Sequence, residues 1–131
     1  MIVVQSPSPN GVAIAQGGRQ HGYALHFVDG KPALDVRVNG QVKRLQSGVA
    51  VSGKIELTAT LSAETMTLAI NGDSPISVES PGLIPVQPVD RLSVGFDDQT
   101  SAGNYSSPNR FNGQVLRHKV RALKIERAKD E

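Results

Sequence analysis

YALHFVDGKPALDVRV, residues 23–38, decides the fold. Successive side chains of a strand point to opposite faces. Tyr23, Leu25 and Phe27 therefore share one face. Leu34, Val36 and Val38 share another, with Asp35 and Arg37 turned away from them. Between the two runs lies Asp29-Gly30-Lys31-Pro32. Asp-Gly between alternating runs signals a hairpin, because glycine accepts the positive φ of a tight turn.

The same grammar extends in both directions. Upstream, residues 2–5 read as a short strand, and Ser6-Pro7-Ser8-Pro9-Asn10-Gly11 reads as a loop, since proline has no N–H for a ladder. Val12 to Ala15 is a short apolar strand stopped by Gly17-Gly18. Downstream, Asn39-Gly40 is another turn, followed by a strand over Val42 to Leu45. Lys54 to Leu61 is the clearest single strand: Ile55, Leu57, Ala59 and Leu61 face one way, and Glu56, Thr58 and Thr60 the other. Met66, Leu68 and Ile70 alternate up to Asn71-Gly72, and Ile76 with Val78 makes another short strand. Prolines at 81, 85 and 88 mark a crossing loop or an edge. Leu92, Val94 and Phe96 alternate as a buried strand, and Asp97 to Arg110 is the longest stretch without a period. Phe111, Gly113 and Val115 restart the alternation, which then slips parity at His118, Val120 and Ala122. One extra residue near Leu116-Arg117, a β-bulge, restores the register.

No stretch carries a 3.6-residue apolar period. About ten short strands, each apolar on one side and polar on the other, predict an all-β fold. The expected form is an antiparallel two-sheet β-sandwich of jelly-roll type. The predicted core is Ile14, Leu25, Phe27, Leu34, Val36, Ile55, Leu57, Leu61, Leu68, Ile70, Leu92, Val94, Phe96, Phe111 and Val115. Tyr23 is assigned to the same interior.

Composition sets the outer limits. The 131 residues suffice for one domain with a real core, placed at about residues 11–125. Glycine (13) and proline (8) suit a chain of many turns. The absence of cysteine excludes a disulfide framework, a thiolate metal site and a cysteine nucleophile. The net charge of +2 is too small to imply nucleic acid. No apolar run approaches the roughly 20 residues of a membrane span. The N-terminal residues read as a strand rather than a leader, so the chain is expected to be a piece of a longer multidomain protein.

A family resemblance rests on the order of several segments. These are Gly11-Val12-Ala13-Ile14-Ala15-Gln16-Gly17-Gly18, Gly22-Tyr23-Ala24-Leu25, Asp29-Gly30-Lys31-Pro32 and the strand from Lys54 to Leu61. Asn71-Gly72, Leu92-Ser93-Val94-Gly95-Phe96-Asp97 and Phe111-Asn112-Gly113-Gln114-Val115 complete the series. From about Gly11 to Leu123 the chain resembles laminin-G-like, concanavalin-A-like jelly rolls. More narrowly, it is similar to the C-terminal accessory domain of some bacterial arylsulfatases. His118 stands where that pattern usually has an apolar residue. The resemblance implies a secreted, periplasmic or cell-surface setting and no catalysis in the domain itself. It also implies a catalytic domain of the same parent chain as partner. In some relatives the ligand is calcium or a sugar.

The residues themselves show no catalytic constellation. Glycoside hydrolysis needs two carboxyl groups at a fixed separation. The glutamates at 56, 64, 79, 126 and 131 are scattered, with no acidic neighbour two residues away on a strand face. Ser6-Pro7-Ser8-Pro9-Asn10 lacks the arginine of a sulfatase nucleophile motif and reads as a proline-rich lead-in. The histidines at 21, 26 and 118 share neither strand parity nor ligand spacing. Arg117, Lys119, Arg121, Lys124, Arg127 and Lys129 form a basic C-terminal stripe. Such a stripe suits a solvated strand edge guarded against aggregation, or a weak contact for an acidic or sulfated polysaccharide.

Long aperiodic loops in compact domains tend to be functional or disordered. Asp97, Asp98, Asn104 and Tyr105 are therefore the candidate ligand contacts, with a capping loop as the competing reading. Their oxygens are those a calcium ion takes, but no spaced D-x-D-x-D series accompanies them. No cofactor is expected, with calcium at this loop the one alternative. Aromatics make up 4% of the chain and tryptophan is absent, so a flat stacking platform for sugar rings is not expected. The function expected is a non-catalytic accessory domain beside a sulfatase-like catalytic domain. A carbohydrate-binding module is the alternative, and a monomer without nucleic acid is expected in either case.

Overall fold

Three Asx-Gly turns bend the chain back on itself. Both residues of each pair take positive φ: Asp29 52° and Gly30 81°, Asn39 52° and Gly40 78°, Asn71 53° and Gly72 77°. Two consecutive positive φ values match the right-handed twist of the flanking strands, and asparagine, aspartate and glycine tolerate them best. The computed structural model describes residues 1–17, 20–82, 92–96, 102–103, 105 and 109–120. Among these there is no helix, and the ordered elements are β1 (Ile2–Ser6), β2 (Gly11–Gly17), β3 (Gly22–Val28), β4 (Lys31–Val38) and β5 (Gln41–Gln46). They continue with β6 (Gly53–Leu61), β7 (Thr65–Ile70), β8 (Ile76–Glu79), β9 (Ser93–Val94) and β10 (Gln114–His118).

The strands form two five-stranded sheets, β10-β1-β6-β7-β8 (sheet A) and β5-β4-β3-β2-β9 (sheet B). Every pairing between named strands is antiparallel. The fold is an all-β sandwich consistent with jelly-roll topology. The inner faces share one core. It contains Ile2, Val4, Ile14, Leu25, Phe27, Leu34, Val36, Leu45, Ile55, Leu57, Met66, Leu68 and Phe111, with Phe27 and Phe111 at a ring separation of 5.5 Å.

The central hairpin is tighter than its sequence suggests. Its turn is Asp29-Gly30 alone, and Pro32 lies in β4 opposite Phe27. Proline is tolerated there because it stands at the strand's start, beyond the last β5 pair at Ala33↔Gln46. The parity slip near the C-terminus is a bulge as expected: Val4 faces Val115 and Val3 faces Arg117, so Leu116 is the extra residue. His118 is exposed on that strand, opposite Ile2.

Two core assignments need correction. Phe96 is not among the core residues: it is half-buried, with the Arg110 guanidinium 5.4 Å from its ring centre. β9 ends at Val94, and Gly95, at φ 85°, carries the chain out of the strand before the alternation reaches Phe96. Tyr23 packs against the core only in part, with its hydroxyl donating to Gln16 Oε1 at 3.2 Å. Leu61, Ile70, Leu92, Val94 and Val115 likewise border the core as partly buried residues.

The two sheets differ in their outer faces. β6 alternates exposed and covered residues, as a strand with one wet face should. In contrast, the middle of β2, β3 and β4 is buried on both faces. Something therefore covers the outside of sheet B, while the outside of sheet A is open.

Candidate functional site

The cover of sheet B lies over an ionic cluster. His26 on β3, Asp35 on β4 and Arg44 on β5 all project from the outer face, because each sits at the parity opposite the core residues Leu25, Leu34 and Leu45. His26 and Asp35 are fully buried, while the Arg44 side chain keeps about a quarter of its surface exposed. Arg44 grips Asp35 through two hydrogen bonds, Nε to Oδ1 at 2.7 Å and Nη2 to Oδ2 at 2.9 Å. This bidentate geometry is the strongest arrangement available to the pair. The hydrogen bonds it donates to Asp35 hold the Arg44 guanidinium above its ordinary range, against the opposing effect of burial.

His26 Nε2 lies 3.0 Å from Asp35 Oδ2. An ionised carboxylate only accepts hydrogen bonds, so Nε2 carries the proton in this contact. The 3.4 Å approach of Arg44 Nη2 to the same nitrogen is then a meeting of two donors rather than a hydrogen bond. Among the described residues, His26 Nδ1 is buried with no hydrogen-bond partner.

The covering segment carries Ala102, Gly103 and Tyr105. Tyr105 meets the His26 ring edge-on at 5.0 Å between centres and packs on Val12, Ala15 and Ala24. Arg37, at the polar parity of β4, donates from Nε to the Ala102 carbonyl at 3.3 Å and from Nη2 to the Gly103 carbonyl at 3.1 Å. Gly103 lies so close to the sheet that a Cβ there would stand 2.6 Å from Asp35 Oδ2 and 2.5 Å from Tyr105 Cε2. Small residues on the sheet and a glycine above it therefore let the segment settle directly onto the cluster.

Of the four ligand contacts expected from sequence, Tyr105 is placed in this cover. Asp97, Asp98 and Asn104 lie outside the described residues. So do the basic residues from Arg121 to Lys129. The cluster that sequence reasoning missed, His26, Asp35 and Arg44, had a signal. Ala15, Ala24 and Ala33 occupy positions that a wet face would give to polar residues, and all three are buried.

The outer face of sheet A has different chemistry. Lys54, Glu56, Thr58 and Thr60 of β6, Thr65 and Thr67 of β7, and Ser77 and Glu79 of β8 line it. At its β10 end a shallow depression of about 240 Å3 is floored by Val3 and framed by Lys54, Glu56, Asn71 and Arg117. The register explains the grouping, since Arg117, Val3 and Glu56 stand side by side across β10, β1 and β6. Asn71 Oδ1 accepts from the Glu56 backbone N–H at 2.8 Å, which ties the loop after β7 to the rim.

Among the described residues no group of three or more histidine, cysteine or acidic side chains has the geometry to hold a metal ion. No known protein-family model and no curated protein matches the chain.

Proposed function

We propose that this chain is an accessory β-sandwich domain without catalysis of its own, packing on and steadying a sulfatase-type catalytic domain of the same parent chain. The carrying observation is the edge strand β10. Its bulged Leu116 is 47% exposed, and Val120 just beyond it is 50% exposed. Large apolar side chains at a sheet edge suit contact with a neighbouring domain. The buried ionic cluster favours the same reading, because Asp35 is engaged by Arg44 and His26 under a cover instead of facing a substrate cleft. The sulfatase setting itself rests on the sequence resemblance.

The test is thermal inactivation of aryl-sulfate hydrolysis in the full parent protein. Leu116→Glu with Val120→Glu is expected to lower the inactivation midpoint while leaving the melting of the 131-residue chain unchanged. Turnover of aryl sulfate by this chain alone, abolished by a point change within it, would contradict the proposal.

A second reading, a carbohydrate-binding module, is favoured by one observation. The open face of sheet A is lined by hydroxyl groups and lacks large apolar side chains over β6 and β7. Such a surface exchanges hydrogen bonds with a polyhydroxylated chain without needing an aromatic platform. Binding of the chain to immobilised polysaccharides tests it, and failure on neutral and acidic polymers alike would refute it.

A further inference from the structure

We propose that the open face of sheet A docks an acidic polysaccharide, with sulfate or carboxylate groups of the polymer held at the β10 end by Lys54 and Arg117. This rests on the carbohydrate-binding reading and adds the place and the charge of the ligand. Burial restricts the choice of face. Over β2, β3 and β4 the outside of sheet B is closed by Tyr105 and its neighbours, whereas β6 presents alternate residues to solvent and the outer-face residues Thr65, Ser77 and Glu79 of β7 and β8 are exposed.

Charge complementarity selects the occupant. Lys54 and Arg117 frame the depression over Val3, and Lys119 stands two residues further along the same strand end. Among the described residues Glu56 is the opposing charge on the rim, and Glu79, opposite Thr65, is a second carboxylate at the far end of the face. An anionic group therefore sits toward Lys54 and Arg117, where Val3 gives it an apolar floor and water is partly displaced. From there the face runs obliquely over the sheet to the facing row Thr60, Thr67 and Ser77, which begins four residues along β6 from Glu56. Four strand intervals of about 4.8 Å, combined with four residues of about 3.4 Å along β6, give a diagonal of about 24 Å, room for several sugar units of a polymer lying obliquely on the face. The hydroxyls supply neutral donors and acceptors for sugar hydroxyls, and the cations supply the preference for charge. A single-stranded nucleic acid fits less well, because it requires aromatic platforms for its bases, and this face carries none among the described residues.

The experiment measures affinity for dextran sulfate, polygalacturonate, neutral dextran and single-stranded DNA at low and high salt. The expected result is salt-sensitive binding of dextran sulfate or polygalacturonate, with neutral dextran at least about tenfold weaker. The two acidic polymers distinguish sulfate from carboxylate as the group recognised. Lys54→Glu with Arg117→Glu is expected to weaken the preferred polymer by about tenfold or more, and Glu56→Gln to tighten it. Lys43→Glu, on the far edge of sheet B, is expected to leave it unchanged. All of these residues are exposed, so unchanged melting of each variant verifies the fold. Equal binding of neutral and acidic polymers overturns this inference and leaves the carbohydrate reading standing. Binding of none overturns both. Tighter binding of DNA than of either acidic polymer, or an unaltered Lys54/Arg117 variant, also overturns the inference.

Discussion

Asp35→Ala is expected to be among the most damaging single changes outside the apolar core. Asp35 is fully buried and engages Arg44 through two hydrogen bonds and His26 at 3.0 Å, among its partners in the described residues. Removing it takes both of those hydrogen bonds from the Arg44 guanidinium and takes from His26 Nε2 its acceptor beneath Tyr105. Breaking a buried ion pair by deleting one partner costs about 3–5 kcal/mol. The Arg44 side chain is 27% exposed and can recover part of its hydration, which places the cost near the lower end, at about 3 kcal/mol. At about 4 °C per kcal/mol for a chain of this size, the melting temperature falls by about 12 °C. The assay is thermal melting followed by circular dichroism, paired with a guanidinium titration. Replacing all three partners together (Asp35→Leu, His26→Leu and Arg44→Met) removes the charges along with their desolvation and should recover most of the loss. A loss under about 1 kcal/mol for Asp35→Ala, or a triple variant weaker than the single one, would refute this account of the cluster.

Gly103→Ala should lift the cover from sheet B, since its Cβ meets Asp35 and Tyr105 at contact distances no side chain sustains. Faster proteolytic cleavage near residues 102–105, with the sandwich retained by circular dichroism, is the expected outcome. Burial pushes the Tyr23 phenol up to about 12. A phenol raised above its ordinary 10 favours the neutral ring in the fold, so its contribution is complete below pH about 10 and lost as pH rises through about 12. Spectrophotometric titration of a Tyr105→Phe variant isolates Tyr23 and should show phenolate forming only in that upper range. Leu57→Ala, at a fully buried position of β6, should cost about 2–5 kcal/mol in a denaturant titration.

The strand framework was legible because the sandwich core obeys a local rule. Leu25, Phe27, Leu34, Val36, Ile55, Leu57 and Leu68 recur at every second position of their strands, and all are buried. Turn chemistry placed Asn39-Gly40 and Asn71-Gly72, and a parity slip alone located the bulge at Leu116. Phe96 was misplaced because alternation continues through Gly95 in the sequence, while the backbone at φ 85° does not continue as a strand. The ionic cluster was hidden for a different reason. Asp35 and Arg44 lie nine residues apart, and His26 and Arg44 eighteen. All three occupy polar parity, which ordinarily means solvent. Among the described residues, Ala102, Gly103 and Tyr105, from much later in the chain, close that face, and no local pattern encodes such a contact. The alanines at 15, 24 and 33 were its one sequence trace.

The contrast between a closed sheet B and an open sheet A is tested most directly by mapping amide NMR shifts while dextran sulfate or polygalacturonate is added. The account predicts shifts concentrated at Val3, Lys54, Glu56, Thr58 and Arg117, with Ala24, His26, Asp35 and Tyr105 unmoved. Shifts centred on Tyr105 and the β3–β4 outer face, with Lys54 and Arg117 silent, would contradict it.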